Sequence, residues 1–201
     1  MALAQDATSL DLRSFLARHG DAPLLLVRIP PGDTELELAL CASAPNAGSS
    51  RPALAKPLPF RTTHQATPKE FLRRSGEARA EPRENLGALL EKHSYFAVAL
   101  QKREDGDAMF MGRISIGRAH NKDIVLRHAS ISKFHAWFEV NSSLGVYVSD
   151  GGSTNRTQLN GRPLEPRSAT AVEPGDAVQF GAIETVLCLP EGLWACLNPE
   201  R

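Results

Sequence analysis

From Tyr95 onward the chain is cut into apolar runs too short for helices and separated by turn-forming residues, and this spacing restricts the fold more than any other feature. Runs at 110–116, 123–126, 136–140, 145–149, 157–159, 177–180 and 184–189 alternate with turn signals. The signals are Asn121-Lys122, Asn141 to Gly145, Asn160-Gly161 and Glu173-Pro174-Gly175-Asp176. Glycine admits positive φ, proline fixes φ, and Asn or Asp bonds back to its own backbone, so such clusters reverse a chain. Tyr95 to Leu100 is a further strand, returned antiparallel by a turn at Glu104-Asp105-Gly106-Asp107, and Asn160-Gly161 reads as a hairpin turn. Many short strands without intervening helices predict an antiparallel β-sandwich, whose connections project from the ends of a rigid scaffold.

The chain before this point has a different texture. Leu10, Leu12, Phe15 and Leu16, followed by Gly20, predict a helix over 9–19. The run Leu24 to Ile29, the turn-like Pro30-Pro31-Gly32-Asp33 and the alternating Leu36, Leu38 and Leu40 read as a hairpin. Residues 42–66, with Pro45, Pro52, Pro57 and Pro59 among Ala and Ser, read as a linker. Thr67-Pro68-Lys69-Glu70 suits a capping box ahead of Phe71 and Leu72, a reading favoured over that of a kinase target because such helix starts are far commoner. A second helical segment, Asn85 to His93, carries Leu86, Leu89 and Leu90 on one face. The expected organisation is an N-terminal α+β segment (1–41), a linker (42–66), a helical segment (67–93), the sandwich (94–190) and a C-terminal tail (191–201).

Composition narrows the function classes. With 23 Lys and Arg against 23 Asp and Glu the formal charge is zero, which argues against bulk nucleic-acid binding but allows a local basic pocket. Apolar runs such as Leu24 to Val27 are too short to span a membrane, and Met1-Ala-Leu-Ala-Gln-Asp lacks the form of a secretory signal. Cys41, Cys188 and Cys196 are odd in number and far apart, as suits reduced thiols in a cytoplasmic protein better than disulfides or zinc ligands. No metal-ligand spacing, nucleotide-binding loop or kinase signature is present, so no cofactor is expected.

Chemistry gathers in three short motifs. They are Gly117-Arg118, Ser132-Lys133-Phe134-His135 and Ser153-Thr154-Asn155-Arg156-Thr157. An arginine able to donate two parallel bonds, serine and threonine hydroxyls and a mobile lysine are what a receptor for a phosphate monoester needs. These motifs, with Asn121, Asp123-Ile124, Asp150-Gly151-Gly152, Asn160-Gly161, Pro174-Gly175-Asp176 and Phe180-Gly181, resemble the forkhead-associated domain over about residues 94–190. The resemblance implies a β-sandwich that binds phosphothreonine peptides through loops at one end. It implies phosphate contacts from Arg118, Ser132, Lys133 and Thr154, and a peptide-backbone contact from Asn155. Gly117 and His135 would shape the site without touching the ligand. The partner would be a threonine-phosphorylated protein made competent by a Ser/Thr kinase.

One position departs from the family pattern, which usually has glycine where this chain has Arg156. Glycine there often marks positive φ, so arginine implies another loop conformation or a strain offset elsewhere. Its charge could favour acidic flanking residues, or its bulk could obstruct the groove. Ser132, His135 and Asp150 contain the residue types of a hydrolytic triad, but there is no Gly-x-Ser-x-Gly elbow and no evident oxyanion hole. The expectation is a non-enzymatic adaptor, with a phosphate-independent interaction module as the alternative. Thr62, Thr63 and Thr67 are candidate phosphorylation sites that could occupy the domain's own pocket.

Overall fold

The computed structural model describes residues 2–29, 85–103, 112–141 and 145–199. The second strand of the expected hairpin, the linker, the Thr67 cap, the turn at 104–107, Cys41, Thr62 and Thr63 lie outside the described residues. The elements in chain order are α1 (Ala2–Ser9), α2 (Leu12–His19), β1 (Leu24–Ile29), α3 (Leu86–Lys92), β2 (Ser94–Ala99), β3 (Ile114–Gly117), β4 (Ile124–Val125) and β5 (Ala136–Val140). They continue with β6 (Val146–Asp150), β7 (Thr157–Leu159), β8 (Arg162–Pro163), β9 (Thr170–Val172), β10 (Ala177–Phe180), β11 (Ile183–Cys188) and α4 (Pro190–Leu197).

The strands form two sheets, ordered β2-β1-β11-β10-β7-β8 and β4-β3-β5-β6-β9. Their facing sides bury Leu25, Val27, Ile116, Phe138, Val148, Val178, Phe180 and Leu187 in one core. Phe138 and Phe180 meet edge to face across it, with ring centroids 6.1 Å apart. The pairs are antiparallel except β3 with β4, which run parallel. The expected sandwich is thus present, with a mixed pairing at one edge.

Residue alternation on β1 explains a third layer. Leu25 and Val27 point into the sandwich, whereas Leu24 and Leu26 join a second cluster with Phe15, Leu90, Tyr95, Val186, Cys188 and Leu193. Helices α1 to α4 therefore cover the outer face of the first sheet. A strand buried on both faces reads as a continuous apolar run, which is what Leu24 to Val27 is. Trp194 Nε1 donates to the Leu10 carbonyl at 3.1 Å, and Asn198 Nδ2 donates to the Ala7 carbonyl at 2.7 Å, tying the two ends of the described chain together. Cys188 sits inside this layer, where burial pushes its thiol up to about 12 and leaves it a core group.

Four expectations are corrected here. The helix expected over 9–19 starts at Leu12 as α2, because the Asp11 carboxylate accepts from the Ser14 amide at 3.0 Å and its hydroxyl at 2.9 Å, and α1 (Ala2–Ser9) precedes it as a helix not expected. The strand at Leu24–Ile29 does not stand apart from the sandwich: it is paired on both edges, with β2 and with β11. Residues 190–197, expected as the sandwich's end and a tail, form α4, with Pro190 in its first turn. Strands β8 and β9, absent from the sequence reading, are two and three residues long and mostly exposed, so they carry little apolar signal.

Candidate functional site

Strand polarity brings five stretches to one end of the sandwich: 118–123 after β3, 126–135 before β5, 151–156 after β6, 164–169 before β9, and 181–182 between β10 and β11. Gly117, the last residue of β3, is where the first two meet. A Cβ there would lie 2.3 Å from the Lys133 carbonyl oxygen, so only glycine allows the backbones to touch. Around that contact the Arg118 amide donates to the Ser132 carbonyl at 3.0 Å, and the His135 amide donates to the Ile116 carbonyl at 2.8 Å.

Arg118 is exposed and held by one bond, from Nε to the Ile131 carbonyl at 2.9 Å. Among the described residues no carboxylate pairs with it, so its two terminal nitrogens remain available. The Ser132 hydroxyl accepts from the Thr154 amide at 3.1 Å and lies 3.5 Å from Thr154 Oγ1. Asn155 Nδ2 donates to the Ser130 carbonyl at 2.9 Å, which leaves its amide oxygen facing solvent. Lys133 is exposed on the same loop. The structure therefore brings Arg118, Ser132, Thr154 and Asn155 together through direct bonds between their loops, with Lys133 beside them.

His135 has no exposed surface and clamps two loops. Its Nδ1 accepts from the Ser132 amide at 3.1 Å, which assigns the proton to Nε2 and makes that nitrogen the donor to the Arg156 carbonyl at 3.2 Å. Burial lowers its pKa, against the opposing pull of the Arg156 bond and the Asp150 charge, and favours this neutral tautomer. The Ser132 amide is consumed by that bond, so it is not available as a ligand donor and only the hydroxyl of Ser132 is.

Arg156 adopts φ 63°, the left-handed conformation that glycine would have provided. Its carbonyl accepts from both His135 Nε2 and the Gly181 amide, the latter at 3.0 Å, and these bonds hold the strained backbone in place. A left-handed arginine costs about 1–2 kcal/mol, against about 0.5–1 kcal/mol for the entropy of a glycine. Arg156→Gly should therefore raise stability by about 0.5 kcal/mol, measured as a small upward shift in denaturant midpoint; a lowered midpoint would contradict this account.

Two residues of the scaffold were missed. Asp150, fully buried, accepts five hydrogen bonds: Gly152 N (2.9 Å) and Ser153 N (3.0 Å) on Oδ2, Ser153 Oγ (2.6 Å), Thr157 N (3.1 Å) and Thr157 Oγ1 (2.8 Å) on Oδ1. Burial acts to raise its pKa, but the bonds from Ser153, Thr157 and Gly152 prevail and lower it. The Asp-Gly-Gly-Ser run carried this signal as a side-chain-capped turn. Ser130 is the other: its hydroxyl accepts from the Ala182 amide at 2.9 Å and lies 2.8 Å from His128 Nδ1, while its carbonyl takes Asn155.

A hydrolytic triad is not built from these groups. Asp150 spends its oxygens on its own loop, and His135 meets the Ser132 amide, not the hydroxyl. Among the described residues no cluster of three His, Cys, Asp or Glu side chains could hold a metal, and no helix is long and apolar enough to cross a membrane.

Fold and loops define a class, a two-sheet β-sandwich that presents an arginine and three hydroxyl or amide side chains from interlocked loops at one end. Residues 114–181 match the FHA domain family model, and the chain carries an FHA domain. It is 32% identical over 78 residues to "FHA domain-containing protein PS1" of Arabidopsis thaliana, covering 38% of this chain and 5% of that protein. It is 37% identical over 70 residues to "Oxoglutarate dehydrogenase inhibitor" of Corynebacterium glutamicum, covering 35% of this chain and 46% of that one. The match thus spans less than half the length of either relative. Among solved structures, the N-terminal FHA domain of S. cerevisiae Rad53p in complex with a phosphothreonine peptide aligns at 20% identity and TM-score 0.40, over 50% of this chain and 89% of that one. The FHA domain of the CT664 protein from Chlamydia trachomatis aligns at 25% identity and TM-score 0.38, over 46% and 83%.

Proposed function

We propose that the loop end binds phosphothreonine peptides and that the chain is a non-enzymatic adaptor docking partners phosphorylated by a Ser/Thr kinase. The observation that carries this reading is Arg118: an exposed guanidinium fixed through Nε alone, its terminal nitrogens unpaired with any described carboxylate, next to the Ser132 and Thr154 hydroxyls. A phosphate brings about −1.5 to −2 charge and three acceptor oxygens, which this donor set answers. Ser132 and Thr154 bond each other in the free protein, so binding exchanges one weak 3.5 Å contact for two bonds to phosphate. Asn155, anchored through Nδ2, offers its oxygen to an N–H of the peptide backbone, and Lys133 adds a mobile charge. The setting proposed for this function is the cytoplasm, a compartment where thiols stay reduced.

The test is an oriented phosphothreonine peptide library retained on the full chain, compared with the same library after phosphatase treatment. Retention at micromolar affinity that phosphatase abolishes is expected. Equal retention of both libraries would replace this reading with a phosphate-independent interaction module.

A further inference from the structure

We propose that Arg156 and Arg167 form a second anion-reading rim beside the phosphate site, so that the domain prefers phosphothreonine peptides carrying another negative charge within two or three residues. The inference rests on the phosphopeptide reading above and names the ligand class more narrowly.

Charge is segregated at this end of the sandwich. On the five loop stretches the exposed charged side chains are Arg118, Arg127, Lys133, Arg156 and Arg167 against Glu165 alone, in a chain of zero formal charge. The remaining carboxylates there are buried and occupied: Asp123 by Lys102, Arg103 and Ser115, and Asp150 by its own loop. Five exposed cations thus face solvent against one exposed carboxylate, and a surface dominated by one sign of charge attracts its opposite.

Arg156 and Arg167 share a second property. Both have φ 63°, and with Asn160 they complete the left-handed non-glycine residues of the described chain. Asn160 has a local reason: it opens a two-residue turn with Gly161, φ 50° and 76°, and its side chain bonds Asp176 and Ala177. The arginines have no such return. Their backbones are used, Arg156 through its carbonyl and Arg167 through its amide to the Asp150 carbonyl at 2.8 Å, but their side chains make no bond or ion pair among the described residues. Glycine at either position would serve the fold with less strain. Where a chain breaks a local rule and the fold draws nothing from it, the side chain is serving something outside the fold.

Placement indicates what that is. The Arg167 amide bond and the Pro166 bridge set loop 164–169 against Asp150, at the root of the loop that carries Thr154, Asn155 and Arg156. An extended peptide advances about 3.3 Å per residue, so a long arginine side chain beside the phosphate site reaches residues about two or three positions away.

The experiment measures fluorescence-anisotropy affinities of the full chain for one set of phosphothreonine peptides. One has uncharged flanks, six carry a single Asp at one of the three positions on either side, and one carries a second phosphothreonine. At least one Asp peptide should bind about fivefold tighter than the uncharged one, with the advantage shrinking at high ionic strength. The second phosphate should give the same or a larger gain, and comparison with Asp tells which source of charge the rim favours. In the double variant Arg156→Gly, Arg167→Gly the advantage should fall below about twofold, and Arg156→Glu should turn the preference toward a Lys-bearing peptide. Wild-type affinities equal within about twofold across the set, or an advantage surviving in the double variant, would overturn the rim while leaving phosphopeptide binding intact. Loss of all phosphate dependence would instead overturn the reading on which the rim rests.

Discussion

Replacing Arg118 with alanine should weaken phosphothreonine-peptide binding by about 100-fold or more while leaving the melting temperature nearly unchanged. The two halves of this expectation have different causes. The guanidinium is exposed and gives the fold one bond, to the Ile131 carbonyl, so its removal costs little stability. For the ligand it is a cation that the structure fixes in place through Nε, and truncating one partner of a desolvated, hydrogen-bonded charge pair costs about 2–5 kcal/mol. At about 1.4 kcal/mol per tenfold, a 100-fold loss is about 2.8 kcal/mol, inside that range. Arg118→Lys should fall between, because lysine keeps the charge but loses the planar fork and the Nε bond. Titration calorimetry of wild type and both variants, with melting curves alongside, separates the outcomes. Unchanged affinity in Arg118→Ala would remove the phosphate site from this end of the sandwich.

Asp150→Ala should do the opposite, lowering stability by about 4 kcal/mol and losing binding only as a consequence. The carboxylate accepts bonds from three backbone amides and two hydroxyls, most of them out of water, and each buried donor left unpaired costs about 1–3 kcal/mol. Such a loss is a large part of the 5–15 kcal/mol typical of a folded domain. Asp150→Asn should recover little, since an amide turns N–H groups toward donors. The same bonds set a pH dependence. The folded state depresses the Asp150 pKa, so this stabilisation is complete above the ordinary aspartate value of about 3.9 and is lost as pH falls below it. His135 adds to the acid loss from a higher starting point. Burial depresses its pKa, so its contribution is complete above about 6.5 and declines as pH drops below that value. Urea denaturation across pH should show falling stability on acidification, with the lower-pH part reduced in Asp150→Ala and the remainder carried by Asp123, whose pKa is also lowered.

Much of the sandwich was legible because its strands are delimited by residues with strong local preferences. Asn160-Gly161 turns between β7 and β8 with both φ values positive, and the runs at 136–140, 157–159 and 177–180 coincide with β5, β7 and β10. Reading failed where partners are distant in sequence. Nothing local to Leu24–Ile29 says that it will lie between residues 94–99 and 183–188, and a one-sided hairpin satisfies its pattern as well. The candidate site divides in the same way. Arg118, Ser132, Thr154 and Asn155 could be named from the order of short motifs, and their gathering at one end follows from strand polarity. That the Ser132 amide is taken by His135, or that the Arg156 carbonyl holds two donors, depends on backbone paths that residue types do not encode. At Arg156 the second of the two alternatives holds: the backbone keeps the left-handed form, and neighbouring donors secure it.

The helical layer over β1 and β11 makes this domain inseparable from its flanks. The stretch that matches the FHA domain family model stops at residue 181, yet the wall behind it is made of β1, β11 and helices from both ends of the described chain. Cutting the protein at the limits of the match would remove β1, β2 and β11 from one sheet and expose Phe138, Val178 and Phe180, which pack against Leu25, Val27 and Leu187, to water. A graft of these loops into another protein must therefore carry residues from near position 2 to near position 199, and truncations meant to isolate peptide binding will report on folding first.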